Sequence, residues 1–241
     1  MASRSSRAFV DLHCHTNASF DSLSSPADVV RAAAARGLTH LAITDHDRVD
    51  GALAARDAAP AELTVIVGEE IRTADGDLIA VFLERPILPG LPAADTIAAA
   101  HEQGGLAGIP HPFDRFRGSL GRDVERAAAL DALAPLVDWV EAYNARVIGG
   151  SGNERAAEFA FRHGLPGVAV SDAHSLVEVG VSYTTLAGDP STADGLRAAL
   201  ASAELVPGRA SYVVRAFTPV AKAVQRLRGN RRVPPPAGVG R

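Results

Sequence analysis

Short apolar or β-branched runs alternate along the chain with Ala-rich stretches whose hydrophobic positions recur at helical spacing, the pattern of repeated βα units. The runs predict strands near 8–13, 39–44, 63–69, 77–83, 105–110, 137–142, 166–171 and 180–186. A first helix has an explicit start and stop, with Ser24-Ser25-Pro26 supplying an N-cap and an early proline and Gly37 ending it. Further helices are predicted near 50–59, 93–103, 121–134, 151–163 and 191–203, and His163-Gly164 marks another helix end. One junction breaks the alternation: Thr73-Ala-Asp-Gly-Asp77 joins two apolar runs with no room for a helix, so a β-hairpin is inserted there. Helix-separated strands in this number fit a closed or nearly closed α/β barrel or an open doubly wound sheet, and periodicity does not choose between them.

From about residue 217 the pattern changes. One short amphipathic stretch, FTPVAKAVQRLRG, is followed by NRRVPPPAGVGR, whose Arg, Pro and Gly content predicts a partly mobile terminus. The expected organisation is one large catalytic domain over 1–216 and a basic tail over 217–241. A hydrophobic share of 47% and a charged share of 22% are ordinary for a folded chain. The formal net charge of −4 conceals an asymmetry, because no Asp or Glu follows Glu204 whereas eight of the 24 basic residues do. Residues 1–204 keep 16 basic against 28 acidic residues, so the body is acidic and argues against a broad nucleic-acid surface there. Cys14 is the only cysteine, which excludes an intramolecular disulfide. With no apolar leader in MASRSSRAFVDLHCH and no long apolar run, a cytoplasmic location without membrane contact is expected.

The chemistry-bearing residues gather at the ends of the predicted strands. In Asp11-Leu-His13-Cys-His15, strand parity turns His13 and His15 to one side and Leu12 and Cys14 to the other. Thr44-Asp45-His46-Asp47 closes the second strand and Gly68-Glu69-Glu70 the third, where at most one of the two adjacent glutamates can face the site. The other is expected to meet solvent or to support the site from behind. Pro110-His111-Pro112 follows the fifth run, the two prolines restricting the backbone. Ser171-Asp172-Ala173-His174 follows the seventh and repeats the two-residue spacing of the first cluster. His40, His101 and His163 fall away from these ends and are read as surface or capping residues. Histidine with carboxylate and no thiolate favours Zn, Mn or Fe, and more than four ligands implies more than one ion.

Taken in order, DLHCHTNASFDSLSSP, LAITDHD, GEEIRT, IPHPFD and VSDAHS resemble the motifs of the PHP (polymerase and histidinol phosphatase) family of metal-dependent phosphoesterases, over roughly residues 8–186. The resemblance implies an α/β fold, a distorted (β/α)7 barrel of the PHP type with an inserted β-hairpin, and metals at the C-terminal ends of its strands. It implies the metal ligands His13, His15, Asp21, His46, Glu70, His111, Asp172 and His174, with Glu70 bridging. Where some relatives have a histidine in the hairpin, this chain reads Gly76-Asp77-Leu78, so a third ion depends on Asp77.

The expected function is hydrolysis of a phosphate ester by a hydroxide held between two or three divalent ions, with Glu70, Asp172 and His174 as catalytic residues. Arg115, Arg117 and Arg146 are candidates for binding the phosphate. A small phosphomonoester, a nucleotide or a short oligonucleotide would fit. The basic Arg226, Arg228, Arg231 and Arg232 give nucleic acid one route of contact. Two rival readings use the same residues: a metal-dependent amide or lactone hydrolase, and a non-catalytic module that binds metal or a nucleotide. Removing Arg115 and Arg117 should separate the first rival from a phosphoesterase.

Overall fold

The computed structural model describes residues 7–149 and 151–237, so the ends of both expected domains, Arg241 included, lie outside the described residues. The βα alternation is realised as β1 (Arg7–Asp11), α1 (Pro26–Ala35), β2 (His40–Ile43), α2 (Asp50–Ala58) and β3 (Thr64–Arg72). The inserted strand β4 (Asp77–Val81) follows, then α3 (Ala93–Glu102), β5 (Leu106–Ile109), α4 (Val124–Leu133), β6 (Trp139–Asn144), α5 (Gly152–His163) and β7 (Gly167–Val170). The chain continues through β8 (Tyr183–Ala187), α6 (Ala193–Ala199), β9 (Glu204–Val206), α7 (Tyr212–Arg215) and α8 (Thr218–Leu227). Ser25 caps α1 as its sequence predicts, its hydroxyl accepting from the Asp28 N–H at 3.2 Å, with Pro26 in the first turn.

The strands form one sheet in the order β7-β6-β5-β4-β3-β2-β1-β8-β9. β1, β2 and β3 run parallel, as do β5, β6 and β7. β4 is antiparallel to both of its neighbours, the hairpin expected from Thr73 to Asp77. The sheet curls until β7, at one end, meets β8, the strand next to its other end. The Thr184 hydroxyl accepts from the Ala169 N–H at 2.8 Å and donates to the Ala169 carbonyl at 3.0 Å, so a side chain replaces the missing ladder between β7 and β8. Beyond the strand ends, Cys14 and Ala173 form an isolated parallel bridge. The nearly closed barrel decides between the two architectures that periodicity left open.

Strand parity sorts the apolar residues into two clusters. Val10, Ala42, Ile66, Ile79, Trp139 and Val168 fill the barrel interior. Leu41, Ile43, Val65, Val67 and Leu78 pack outward against Val29, Val30, Ala52, Ile97 and Phe159 of the helices. Trp139 occupies so much of the interior that a Cβ on Gly108, its pairing partner in β5, would lie 2.1 Å from the indole. Leu12 joins the inner cluster while Cys14 joins the outer one, so the two do not share a layer as regular alternation from Asp11 to His15 requires. The reason is that β1 ends at Asp11, and the chain turns before the histidines.

The C-terminal segment packs across the C-terminal end of the barrel. Gln225 of α8 is buried, and its carboxamide Nε2 donates to the carbonyls of Asn17, Ser19 and Ser22 at 2.7, 3.0 and 2.7 Å. Asn230 Nδ2 reaches the carbonyls of Asn17 and Ala18 at 3.1 and 3.0 Å. The two N–H groups of each carboxamide thus serve loop carbonyls that the barrel itself leaves open, those of Gln225 shared among three. Among the described residues, no helix is long and apolar enough to cross a membrane.

Candidate metal centre

Four histidines are held in the same manner. Each turns Nδ1 to a polar partner and Nε2 to a common centre. His13 Nδ1 lies 2.6 Å from Glu141 Oε1, and His111 Nδ1 lies 3.1 Å from the Ser119 hydroxyl. His174 Nδ1 lies 2.9 Å from the Asp172 carbonyl. His15 Nδ1 lies 3.1 Å from the Ser19 hydroxyl, which donates its own proton to Asp45 at 2.7 Å and therefore accepts from the ring. For His13, His15 and His174 the acceptor at Nδ1 favours the tautomer in which Nε2 carries a lone pair, the form that binds a cation.

The carboxylates complete the ring. Glu70 Oε2 lies 3.4 Å from Nε2 of both His13 and His15 and 3.1 Å from His46 Nδ1, and its Oε1 lies 3.1 Å from His111 Nε2. It therefore touches four histidines from the middle of the group. Glu69 faces away, as parity requires, yet it does not meet solvent: it is buried, with Oε2 accepting the Ile87 N–H at 2.9 Å. Asp172 Oδ1 sits 3.6 and 3.7 Å from Nε2 of His13 and His15. Asp21 Oδ2 lies 3.4 Å from Nε2 of both His46 and His174.

Three overlapping triads have ligand atoms within 4.8 Å of one another: His15 with His46 and His174, His13 with His15 and Glu70, and Glu70 with Asp77 and His111. The third includes Asp77. Its carboxylate takes the position facing Glu70 and His111.

Electrostatically this arrangement asks for cations. Nε2 of His13 and of His15 stand 3.0 Å apart, a contact that needs a cation or a proton between the two rings. Burial pushes His13 down, but Asp172, Glu141 and Glu70 outweigh it and hold the ring well above its ordinary pKa. His15 is pushed well below by burial and by the neighbouring His174, His46 and His13. Burial also works against the charged forms of Glu70 and Asp172, yet the surrounding histidines, with Arg117 at Asp172, keep both carboxylates well below their usual range. Oδ1 of Asp21 and of Asp172 are buried and accept no hydrogen bond among the described residues. Divalent ions would replace the proton on His13 and satisfy both orphaned oxygens, so the residues fit a multinuclear metal site.

Strain gathers at the same place. Asp47, His111 and Asp172 are three of the four non-glycine residues with positive φ among the described residues, at 57°, 28° and 52°. Pro110 and Pro112 thus do not hold His111 in a proline-like range. The His111 N–H bonds Glu141 Oε2 at 2.8 Å, which fixes its backbone against the local preference.

Of the expected phosphate ligands, Arg117 and Arg146 line the cleft above the ring, whereas Arg115 is exposed and does not. Arg117 pairs with Asp172 and, at 2.9 Å, with Asp114. Arg146 Nη2 donates to the Thr218 hydroxyl at 2.7 Å. The cleft has a volume of about 600 Å³ and takes further cations from Arg122, Arg215, Lys222 and Arg232, none of which motif reasoning assigned to it. Glu141 was missed as well, although it stands in β6 next to the open end of the barrel, on the one strand from β5 to β7 to which no ligand had been given. The three histidines set aside stay out of the centre. His101 and His163 pair with Asp138 and Asp131 at 2.9 and 2.8 Å. His40 is buried rather than superficial, its Nε2 3.1 Å from the Ser191 hydroxyl.

Residues 11–159 match the PHP domain family model, and residues 150–205 match the PHP-associated model. An uncharacterized protein of Methanocaldococcus jannaschii is 32% identical over 176 residues, covering 72% of this chain and 68% of that protein. A second uncharacterized protein of the same organism is 34% identical over 146 residues, covering 56% of this chain and 81% of its own. Among solved structures, a two-domain protein of Bacteroides vulgatus, described as containing a predicted PHP-like metal-dependent phosphoesterase, superposes with a TM-score of 0.69 at 20% identity. The superposition covers 84% of this chain and 65% of that one, and it shows the shared fold. With more than half of its length matched by the family model, the chain belongs to the PHP domain family.

Proposed function

We propose that the protein is a metal-dependent phosphoesterase acting on a small phosphorylated molecule or a nucleotide. The observation that carries this reading is the juxtaposition of a ring of Nε2 and carboxylate ligands with a wall of guanidinium groups in one cleft. An amide or lactone substrate has no use for that wall. Its oxyanion is a single developing charge, whereas a phosphoryl group presents several charged oxygens that forked donors match.

His13, His15, Asp21, His46, Glu70, His111, Asp172 and His174 would hold the ions, with Asp77 as a further ligand. Two or three divalent ions of the Zn, Mn or Fe type would supply Lewis acidity toward the phosphoryl oxygens and acidify water bound there. The protein's own groups do the remaining work. Arg146 Nη1 is buried within 3.5 Å of Glu178 without making a hydrogen bond, so it has a donor to offer a substrate oxygen. Arg117, held by Asp114 and Asn144, lines the same cleft. Asp172, whose Oδ2 is held by Arg117 and Asn144, would orient the attacking water with Oδ1, and His174 would stand beside Asp21 as a ligand.

Hydrolysis of an aryl phosphate by protein loaded with Mn²⁺ or Zn²⁺ tests this reading, measured beside chelated protein and beside His13→Ala and His46→Ala. Metal-dependent turnover that both substitutions abolish is expected. Equal turnover in all samples, or turnover confined to amides and lactones, would overturn it.

A further inference from the structure

The C-terminal segment does more than cover the cleft. Arg232 Nε lies 2.7 Å from Asp47 Oδ2, and its Nη2 lies 3.0 Å from Asp77 Oδ1. Asp77 is the residue that completes the triad with Glu70 and His111, the position a third ion would take. The guanidinium thus engages a carboxylate that the ion would also require. Its placement is built rather than incidental. Asn230, two residues before, is tied to the Asn17 and Ala18 carbonyls, and the Val233 carbonyl immediately after accepts from Arg72 at 3.3 Å. Asp47 is committed on both oxygens, with Oδ1 taking the Arg72 N–H at 2.7 Å and Oδ2 taking Arg232. It acts as the anchor that holds the arginine over Asp77.

Resting on the metal-centre reading above, we propose that Arg232 is an internal cation that occupies the third metal position from the side. With the segment docked, the protein holds two ions, at the triads built around His15. A third ion binds at Glu70, Asp77 and His111 only when Arg232 withdraws. Like charges explain the exclusion: a fixed guanidinium bonded to Asp77 removes one ligand oxygen and repels a divalent ion brought beside it. Arg232 is therefore a positioning residue that sets metal number, and it makes that number responsive to whatever displaces the segment, a substrate phosphate in the cleft included.

Metal stoichiometry reads this directly, without reference to turnover. The full chain is loaded with Mn²⁺, freed of excess and counted by native mass spectrometry as wild type, Arg232→Gln, Asp47→Asn and Arg232→Gln/Asp77→Asn, each checked for folding by circular dichroism. The expected result is about two ions for wild type, about three for Arg232→Gln and for Asp47→Asn, and about two again for the double variant. Two ions in both single variants, three in wild type, or a third ion that survives in the double variant would each overturn the proposal while leaving the metal centre standing. A wild-type protein that binds no ion would remove the metal-centre reading itself, and this proposal with it.

Discussion

Glu141 Oε1 lies 2.6 Å from Nδ1 of His13, and its other oxygen accepts the His111 N–H and the Asn144 amide, both at 2.8 Å. One buried carboxylate therefore sets the tautomer of one ligand and the backbone of a second.

Because Glu141 touches no metal position itself, its removal should loosen the centre without deleting a ligand. Glu141→Gln presents an amide to a ring that needs an acceptor, and metal affinity should fall by about 10- to 100-fold. Competition with a fluorescent chelator measures this, and wild-type affinity in the variant would refute the orienting role.

The two arginines of the loop after His111 should behave differently. Arg117 lines the cleft and Arg115 does not, so Arg117→Ala should lower kcat/KM for a phosphate ester by about 100-fold while Arg115→Ala stays within about twofold of wild type. Equal losses in steady-state kinetics would mean that the cleft walls are wrongly assigned.

Glu69 provides a pH signature separate from the centre. Burial pushes it from 4.5 up to about 8, only partly offset by the Ile87 N–H, and the negative charge of Asp47 adds to the rise. Its Oε1 accepts no hydrogen bond among the described residues. Since the folded value lies above the unfolded one, folding favours the protonated form. That contribution is complete below about pH 4.5 and is lost as pH rises through about 8. Glu69→Gln, which is always neutral, should therefore gain on wild type with rising pH, by on the order of 5 kcal/mol above pH 8. Urea unfolding at a series of pH values gives the difference, and a gap that does not change between pH 5 and 9 would contradict the assignment.

Much of the barrel could be read from alternation alone, because β-branched runs and Ala-rich helices differ in period over enough residues to be told apart. Candidate ligands were legible for the same reason: His13, His46, Glu70, His111 and Asp172 each stand within three residues of the end of an apolar run. What escaped depends on distant parts of the chain. Barrel closure rests on Thr184 meeting Ala169, and nothing local marks that threonine. Arg232 looks like any arginine of a solvated basic tail until Asp47 and Asp77 are seen beside it, so it leaves the proposed nucleic-acid patch of Arg226, Arg228 and Arg231, which are exposed. Glu69 escaped because parity says which way a side chain points, not what covers it. The loop carrying Ile87 does.

The Gln225 carboxamide also bears on the order in which the molecule assembles. Its three hydrogen bonds join positions 203 to 208 residues apart, spanning nearly all of the described chain. Contacts of such separation gain nothing until the intervening loop entropy has been lost, so they form after the local βα units and the hairpin. The barrel should accordingly pass through a state whose histidines are already in place and whose mouth is open, with the docking of α8 as the late step. A metal ion present during refolding would meet that open mouth first.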